Sequence, residues 1–129
     1  MDMSELQIGD YVTAFYKTGK YAGEITQIRP NGYIVVKTLA VLKHPMQGDL
    51  HNPKQADVEF FHERKALAHL EQTNVPANMV KPFEGELPPY KDSLAEALSI
   101  LRRDLREDPS DWAARSLECL ERLESEYNL

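Results

Sequence analysis

A single cysteine, Cys119, occurs in 129 residues. One thiol excludes an intrachain disulfide framework and any zinc site built on cysteines, and it fits a reducing compartment. Long apolar runs are also missing: no uninterrupted stretch approaches the roughly 20 residues that a membrane helix needs. The start, Met1-Asp2-Met3-Ser4-Glu5, has neither the basic end nor the apolar run of a signal peptide. Positive charge is in short supply, with 15 Lys+Arg against 21 Asp+Glu, a net charge of -6 and a pI near 5.2. That is the wrong sign for a chain that works mainly by gripping phosphates, so no nucleic-acid partner is expected. These absences together predict one small, acidic, cytoplasmic protein.

Glycine and proline are unevenly missing. All six Gly and seven of the eight Pro precede Lys91, whereas the remainder is rich in Leu, Ala, Glu and Arg. The change falls at Glu84-Gly85-Glu86-Leu87-Pro88-Pro89-Tyr90, where two successive prolines can neither continue a helix nor donate to a sheet. We therefore divide the chain into residues 1–84, an antiparallel sheet, and residues 85–129, a connector with a two-helix extension.

Within the first part, Tyr11 to Tyr16 alternates like a strand, and a turn at Thr18-Gly19-Lys20 leads into Tyr21 to Ile28. Asn31-Gly32, whose residues tolerate φ > 0, joins that strand to Tyr33 through Leu42. A three-stranded meander this short cannot bury both faces while flat, so it is expected to curl into a small barrel. Lys65 to Glu71 is read as a further strand. Pro76 starts a single helical turn, and Val80 to Phe83 forms a closing strand. This ending resembles that of an SH3-like barrel, a likeness of topology that carries no ligand with it. The fold class is thus α+β, an SH3-like barrel followed by a helical hairpin.

Ser93 and Glu96 form a capping-box pattern ahead of Leu94, Ala97, Leu98, Leu101 and Leu105, one apolar stripe of an amphipathic helix. Asp108-Pro109-Ser110-Asp111 restarts a helix, with Asp108 as N-cap and Pro109 in the first helical position. Ala113, Leu117, Leu120, Leu123 and Tyr127 supply the second stripe. The charges on these helices are of mixed sign, as on a solvated face or a docking surface for another helical protein.

Leu42 to Pro53 is the least ordinary segment, gathering His44, Pro45, Gln47, Asp49, His51 and Asn52 in one long connection, and long loops on a compact scaffold often carry function. With Asp57, Glu59, His62 and Glu63 it offers ligands for a divalent ion, but in no recognised spacing: His62-Glu63 lacks the second His of the helical zinc-protease motif. Neither a metal nor another cofactor is expected. No nucleophile elbow or phosphate-cradling glycine loop occurs, Cys119 reads as a packing residue, and nothing places Glu24, Asp49, Glu59 and Glu63 together as acid and base. The aromatics Tyr11, Phe15, Tyr16, Tyr21 and Tyr33 divide between core filling and a surface that could stack on peptide or base. Phe60-Phe61 poses the same choice, since neighbours on a strand face opposite ways.

Three segments carry a more specific signal: Tyr16-Lys17-Thr18-Gly19-Lys20-Tyr21-Ala22-Gly23-Glu24-Ile25, Ala40 to His51, and Phe61-His62-Glu63-Arg64-Lys65-Ala66-Leu67-Ala68. With Glu71 to Pro76, Met79 to Phe83 and the Pro-Tyr-Lys-Asp-Ser run ending at Ser93, they resemble, in order and over nearly the whole chain, kinase-associated protein B of spore-forming Gram-positive bacteria. The resemblance implies an antiparallel sheet or barrel with an extending helical region. It also implies a non-enzymatic accessory of the sporulation phosphorelay, supporting activation or expression of a membrane sensor histidine kinase, with no catalytic residues to carry over. Some members carry a lipoprotein label. Such an anchor needs an apolar N-terminal run and a nearby Cys, and residues 1–10 supply neither, so an unanchored chain is expected, at most held near the inner membrane face by its kinase. The partner-binding residues are expected to be His44, Pro45, Gln47, Asp49, His51, Asn52 and His62. The alternatives are a barrel that binds RNA or peptide, or a metal-dependent enzyme.

Overall fold

The computed structural model describes residues 5–49, 51–59 and 61–129. Five antiparallel strands, β1 (Tyr11–Tyr16), β2 (Gly19–Ile28), β3 (Tyr33–Lys43), β4 (Gln72–Pro76) and β5 (Val80–Pro82), precede two helices, α1 (Tyr90–Glu107) and α2 (Asp111–Tyr127). The ladder runs β4-β3-β2-β1-β5. The expected barrel is therefore not closed: β4 and β5 are the two edges, joined through a single 3-10 turn at Ala77–Met79 rather than by a ladder. Curvature comes instead from three register shifts between β2 and β3, each of which sharpens the local twist. Gly23 sits at one of them, where a Cβ would lie 2.3 Å from the Lys37 carbonyl oxygen.

The hairpin turn falls one residue earlier than expected. Lys17 (φ 51) and Thr18 (φ 73) take the two left-handed positions, and β2 restarts at Gly19. That pair of positive φ values matches the right-handed twist of the strands it joins.

Strand alternation sorts the sheet residues as expected. Val12, Ala14, Ile25, Ile34, Val36, Val75 and Val80 close one core with Leu6, while Tyr11, Phe15 and Tyr33 are exposed on the other side of their strands. A second core lies between the sheet and the helices, where Tyr21 and Val41 meet Leu94, Leu98, Leu105, Trp112, Leu120 and Leu123. Tyr16 packs against both. Phe61 borders the second core; its neighbour Phe60 lies outside the described residues.

Two helix starts differ from the sequence reading. α1 begins at Tyr90 with Pro89 as N-cap, so Ser93 lies inside the first turn instead of capping it. Its hydroxyl donates to the Tyr90 carbonyl (2.7 Å) and accepts the Val41 N–H (2.9 Å), fastening the helix to β3. The hydroxyl is thus committed to a backbone donor of β3 instead of to the helix start. At α2 the cap is Ser110, accepting from the Ala113 N–H (3.1 Å), while Asp108 accepts from the Ser110 N–H (2.9 Å) one step earlier. Pro109 consequently precedes the helix. Arg102 of α1 pairs with Glu124 of α2 across the hairpin.

Lys65 to Glu71 is not a strand: residues 65–68 have no ladder, and a turn follows at residues 69–70. Side chains take the place of a neighbouring strand. The N–H groups of Ala66, Leu67 and Ala68 donate to the Tyr127 hydroxyl (2.8 Å), the Tyr21 hydroxyl (3.3 Å) and the Glu71 carboxylate (2.9 Å).

Candidate functional site

The seven residues singled out in and beside the long loop fall into two groups. His44, Pro45 and Gln47 are buried. The Gln47 side-chain amide grips the backbone of Arg64 from both sides, accepting its N–H (2.8 Å) and donating to its carbonyl (3.0 Å), and donates to the Pro45 carbonyl as well. The main-chain carbonyl of Gln47 accepts from the indole N–H of Trp112 on α2 (3.0 Å). Here the loop works as a strap that ties the sheet to the helical hairpin. Thr18 of the first hairpin accepts from the Met46 N–H (3.0 Å) at the same crossing.

His44 is 1 % exposed, with its ring held at both nitrogens. Nδ1–H donates to the Pro45 carbonyl (3.0 Å), which leaves Nε2 to accept from the Tyr127 hydroxyl at 2.8 Å. Tyr127 already accepts from Ala66, so its own hydrogen is available to His44. Burial lowers the imidazole to about 4, and only the Pro45 hydrogen bond opposes that shift. At neutral pH the ring is uncharged, as this arrangement requires.

Asp49, His51, Asn52 and His62 form the outer group. Asp49 accepts from the His51 N–H (2.9 Å) and from the Asn52 side-chain amide (2.9 Å), closing an Asx turn on the surface. The Asn52 and His51 hydrogen bonds hold its carboxyl below the usual range. His51, Asn52 and His62 are exposed. The loop then runs along α2, where Ala56 accepts from Arg115, Arg115 lies over the Phe61 ring at 4.3 Å, and Glu63 pairs with Arg122 at 2.9 Å.

Sequence reasoning missed the tyrosines that organise the segment after the loop. Tyr21 and Tyr127 accept its N–H groups, and Tyr90 donates to the Leu67 carbonyl. Burial raises all three phenols, Tyr127 to about 12, so each keeps its proton at neutral pH. Trp112 and Arg64 were missed as well. An available signal was the placement of Trp112 and Tyr127 at opposite ends of one helix, since aromatic residues with a polar tip suit a boundary where an apolar face meets loop backbone.

Two hollows flank the 65–68 segment. The larger, about 560 Å³, is walled by Ala66, Ala68, Tyr90, Leu94, Tyr127 and Leu129. The smaller, about 300 Å³, lies between the β1–β2 hairpin and Arg64, with Tyr16, Lys17, Glu63 and Glu71 around it. Lys65 lines both. Three of the four carboxylates weighed as acid and base are engaged separately: Glu24 with Lys37 (3.7 Å), Glu63 with Arg122, and Asp49 in its own turn. Among the described residues no group of three His, Cys, Asp or Glu side chains could hold a metal ion. Cys119 is buried, and burial raises its thiol.

Fold and loop together define an α+β protein whose open five-stranded sheet is strapped to a helical hairpin by its longest connection. The family model for kinase associated protein B matches residues 16–128. The chain is 61% identical over 125 residues to the kinase-associated lipoprotein B of Bacillus subtilis (strain 168), covering 97% of each. It superposes on the crystal structure of kinase-associated protein B from Bacillus cereus with a TM-score of 0.81 at 48% identity, covering 96% of this chain and 99% of that one. The chain belongs to the kinase-associated protein B family. Among the described residues no helix is long and apolar enough to cross a membrane.

Proposed function

We propose that this protein is a non-enzymatic accessory that supports the activation or expression of a sporulation sensor histidine kinase by protein–protein contact, from the cytoplasm and, when engaged, at the inner membrane face. The observation that carries the reading is the 61% identity, over 97% of both chains, with a protein named for its association with a kinase. A protein that performs no chemistry can alter a kinase only by binding its active and inactive states with different affinity. In this reading the loop meets the kinase through its outer group, Asp49, His51, Asn52 and His62, while His44, Pro45 and Gln47 hold that surface in place from below. The buried hydrogen bonds of Gln47 support this division, because they fix the loop at the residue pair immediately before the exposed turn.

The test is direct binding between the purified protein and the cytosolic part of a sporulation sensor kinase from the same organism, with autophosphorylation followed in the same samples. Binding together with a changed rate is the expected result. Folded components that neither bind at high concentration nor change the rate would overturn direct regulation of that kinase.

A further inference from the structure

The sheet has two open edges, and they are not alike. β5 is three residues long and carries Lys81 and Pro82, a charge and a residue without an N–H, both of which discourage pairing with a further strand. β4 is longer, bears no charge, and pairs with β3 without a register shift from Tyr33↔Pro76 to Lys37↔Gln72. The hydrogen bonds that flank this ladder fix which way each residue's backbone points. The Thr38 N–H donates to the Glu71 carbonyl and the Ala77 N–H to the Gly32 carbonyl, both at 2.9 Å. Backbone direction alternates along an antiparallel strand, so Thr73 and Val75 face β3 together with Glu71 and Ala77, while Gln72 and Asn74 face away. No strand lies on that side, and among the described residues the N–H groups of Gln72 and Asn74 have no hydrogen-bond partner. Both residues are exposed. The nearest charges are engaged elsewhere: Glu71 precedes the strand and accepts the Ala68 N–H, and Lys37, opposite Gln72, pairs with Glu24.

We infer that the outer edge of β4 is a strand-addition site, and that its occupant is a short extended segment of a protein partner, rich in uncharged β-branched residues and running antiparallel to β4. A row of free N–H and carbonyl groups at alternate residues is matched by extended polypeptide backbone, which exchanges two hydrogen bonds with each of Gln72 and Asn74. Pro76 has no N–H to offer and ends the edge. Side chains of the segment that lie level with Thr73 and Val75 extend the first core, to which Val75 already belongs. With no charge on β4, a charged segment gains nothing from the strand it joins. The inference rests on the partner-binding reading above and names a surface for it distinct from the exposed turn of the loop.

Amide hydrogen exchange reads the edge residue by residue. In the free protein Thr73 and Val75 should exchange slowly and Gln72 and Asn74 fast; slow exchange at all four in a monomer would remove the open edge. The probe is a short peptide of alternating Thr and Val, used beside the same peptide N-methylated at alternate residues so that it cannot donate to the edge. The unmethylated peptide is expected to slow Gln72 and Asn74, and the methylated one to leave them fast. Asn74→Pro removes an outward N–H while leaving β3 its hydrogen bonds, and should weaken the peptide about tenfold. Slow exchange at Thr73 and Val75 identifies a folded variant, and the peptide pair decides the matter if the variant unfolds. Equal protection by the methylated peptide overturns the proposal. The kinase fragment is added in parallel. Gln72 and Asn74 that stay fast with both peptide and kinase overturn the proposal, and kinase that binds nonetheless leaves the accessory role standing. Protection by the peptide alongside no kinase binding supports the edge and rejects the kinase as its occupant. A dimer that protects both amides and that Asn74→Pro dissociates would give the edge to a second copy and overturn the choice of occupant.

Discussion

The two halves of one loop, residues 44–48 and 49–59, contain similar side chains and meet different fates. His44 and Gln47 are buried and satisfied by backbone and tyrosine partners, whereas His51 and Asn52 are exposed around the Asp49 turn. The difference follows from what the neighbouring backbone lacks. Arg64 runs past Gln47 with an N–H and a carbonyl and no strand beside it, and a carboxamide supplies both an acceptor and two donors. Asp49 has only its own turn to satisfy. Polar residues in a long loop are therefore not one class: some replace a missing ladder, and some are left for the surface.

The comparison breaks most sharply at Trp112, where the inner half meets α2. Trp112→Ala removes a buried indole from the helix–sheet core and should cost about 3–5 kcal/mol in urea unfolding. Trp112→Phe retains most of the ring but leaves the Gln47 carbonyl without its donor, a loss of about 1–3 kcal/mol. Equal midpoints for wild type and Trp112→Phe would show that the bond from Trp112 to the Gln47 carbonyl contributes nothing to stability.

His44 gives a second, pH-dependent break. Its folded value of about 4 lies below the usual 6.5. The unfolded chain then binds more protons between these values. The stability that neutral His44 contributes is complete above pH 6.5, declines as the pH falls, and is gone below the folded value. The span of that shift corresponds to at most about 3 kcal/mol. Gln at position 44 can accept from Tyr127 and donate to Pro45 without titrating. Urea midpoints from pH 7 to 4 should therefore fall less steeply in His44→Gln, and parallel curves would remove His44 as the cause.

The meander, the single turn after Pro76 and both amphipathic helices were legible because each rests on local spacing and turn chemistry. The open sheet was not: strand alternation reports which faces are buried but not whether the two edges meet. Ser93, Ser110 and the 65–68 segment were misread for a related reason. Each depends on a partner remote in sequence or on a choice between adjacent caps, as when Ser93 accepts from Val41 on β3. The polar loop drew attention in the sequence, but nothing local told His44 from His51. That distinction is made by Tyr127, at the far end of the chain.

Tyr127→Phe tests this remote link. It removes the acceptor for Ala66 and the donor to His44 while keeping the ring, and should cost about 2 kcal/mol. Combined with His44→Ala, which removes the acceptor for the Tyr127 hydroxyl, the losses should fall short of additivity, because both substitutions act on one hydrogen-bonded chain. Strict additivity in a double-mutant cycle would mean that the two residues stabilise the strap independently.

The smallest effect on stability, and the sharpest contrast, belongs to the outer half. Asp49→Ala opens an exposed turn whose backbone water can solvate, and His51→Ala removes an exposed ring, so neither should move the urea midpoint measurably. If this half meets the kinase, the same two substitutions together should weaken the complex about tenfold, since a few surface residues commonly carry most of an interface's energy. Intact stability with lost affinity would assign contact to the outer half and support to the inner half. Intact stability with wild-type affinity would leave the exposed turn without a role in binding the kinase.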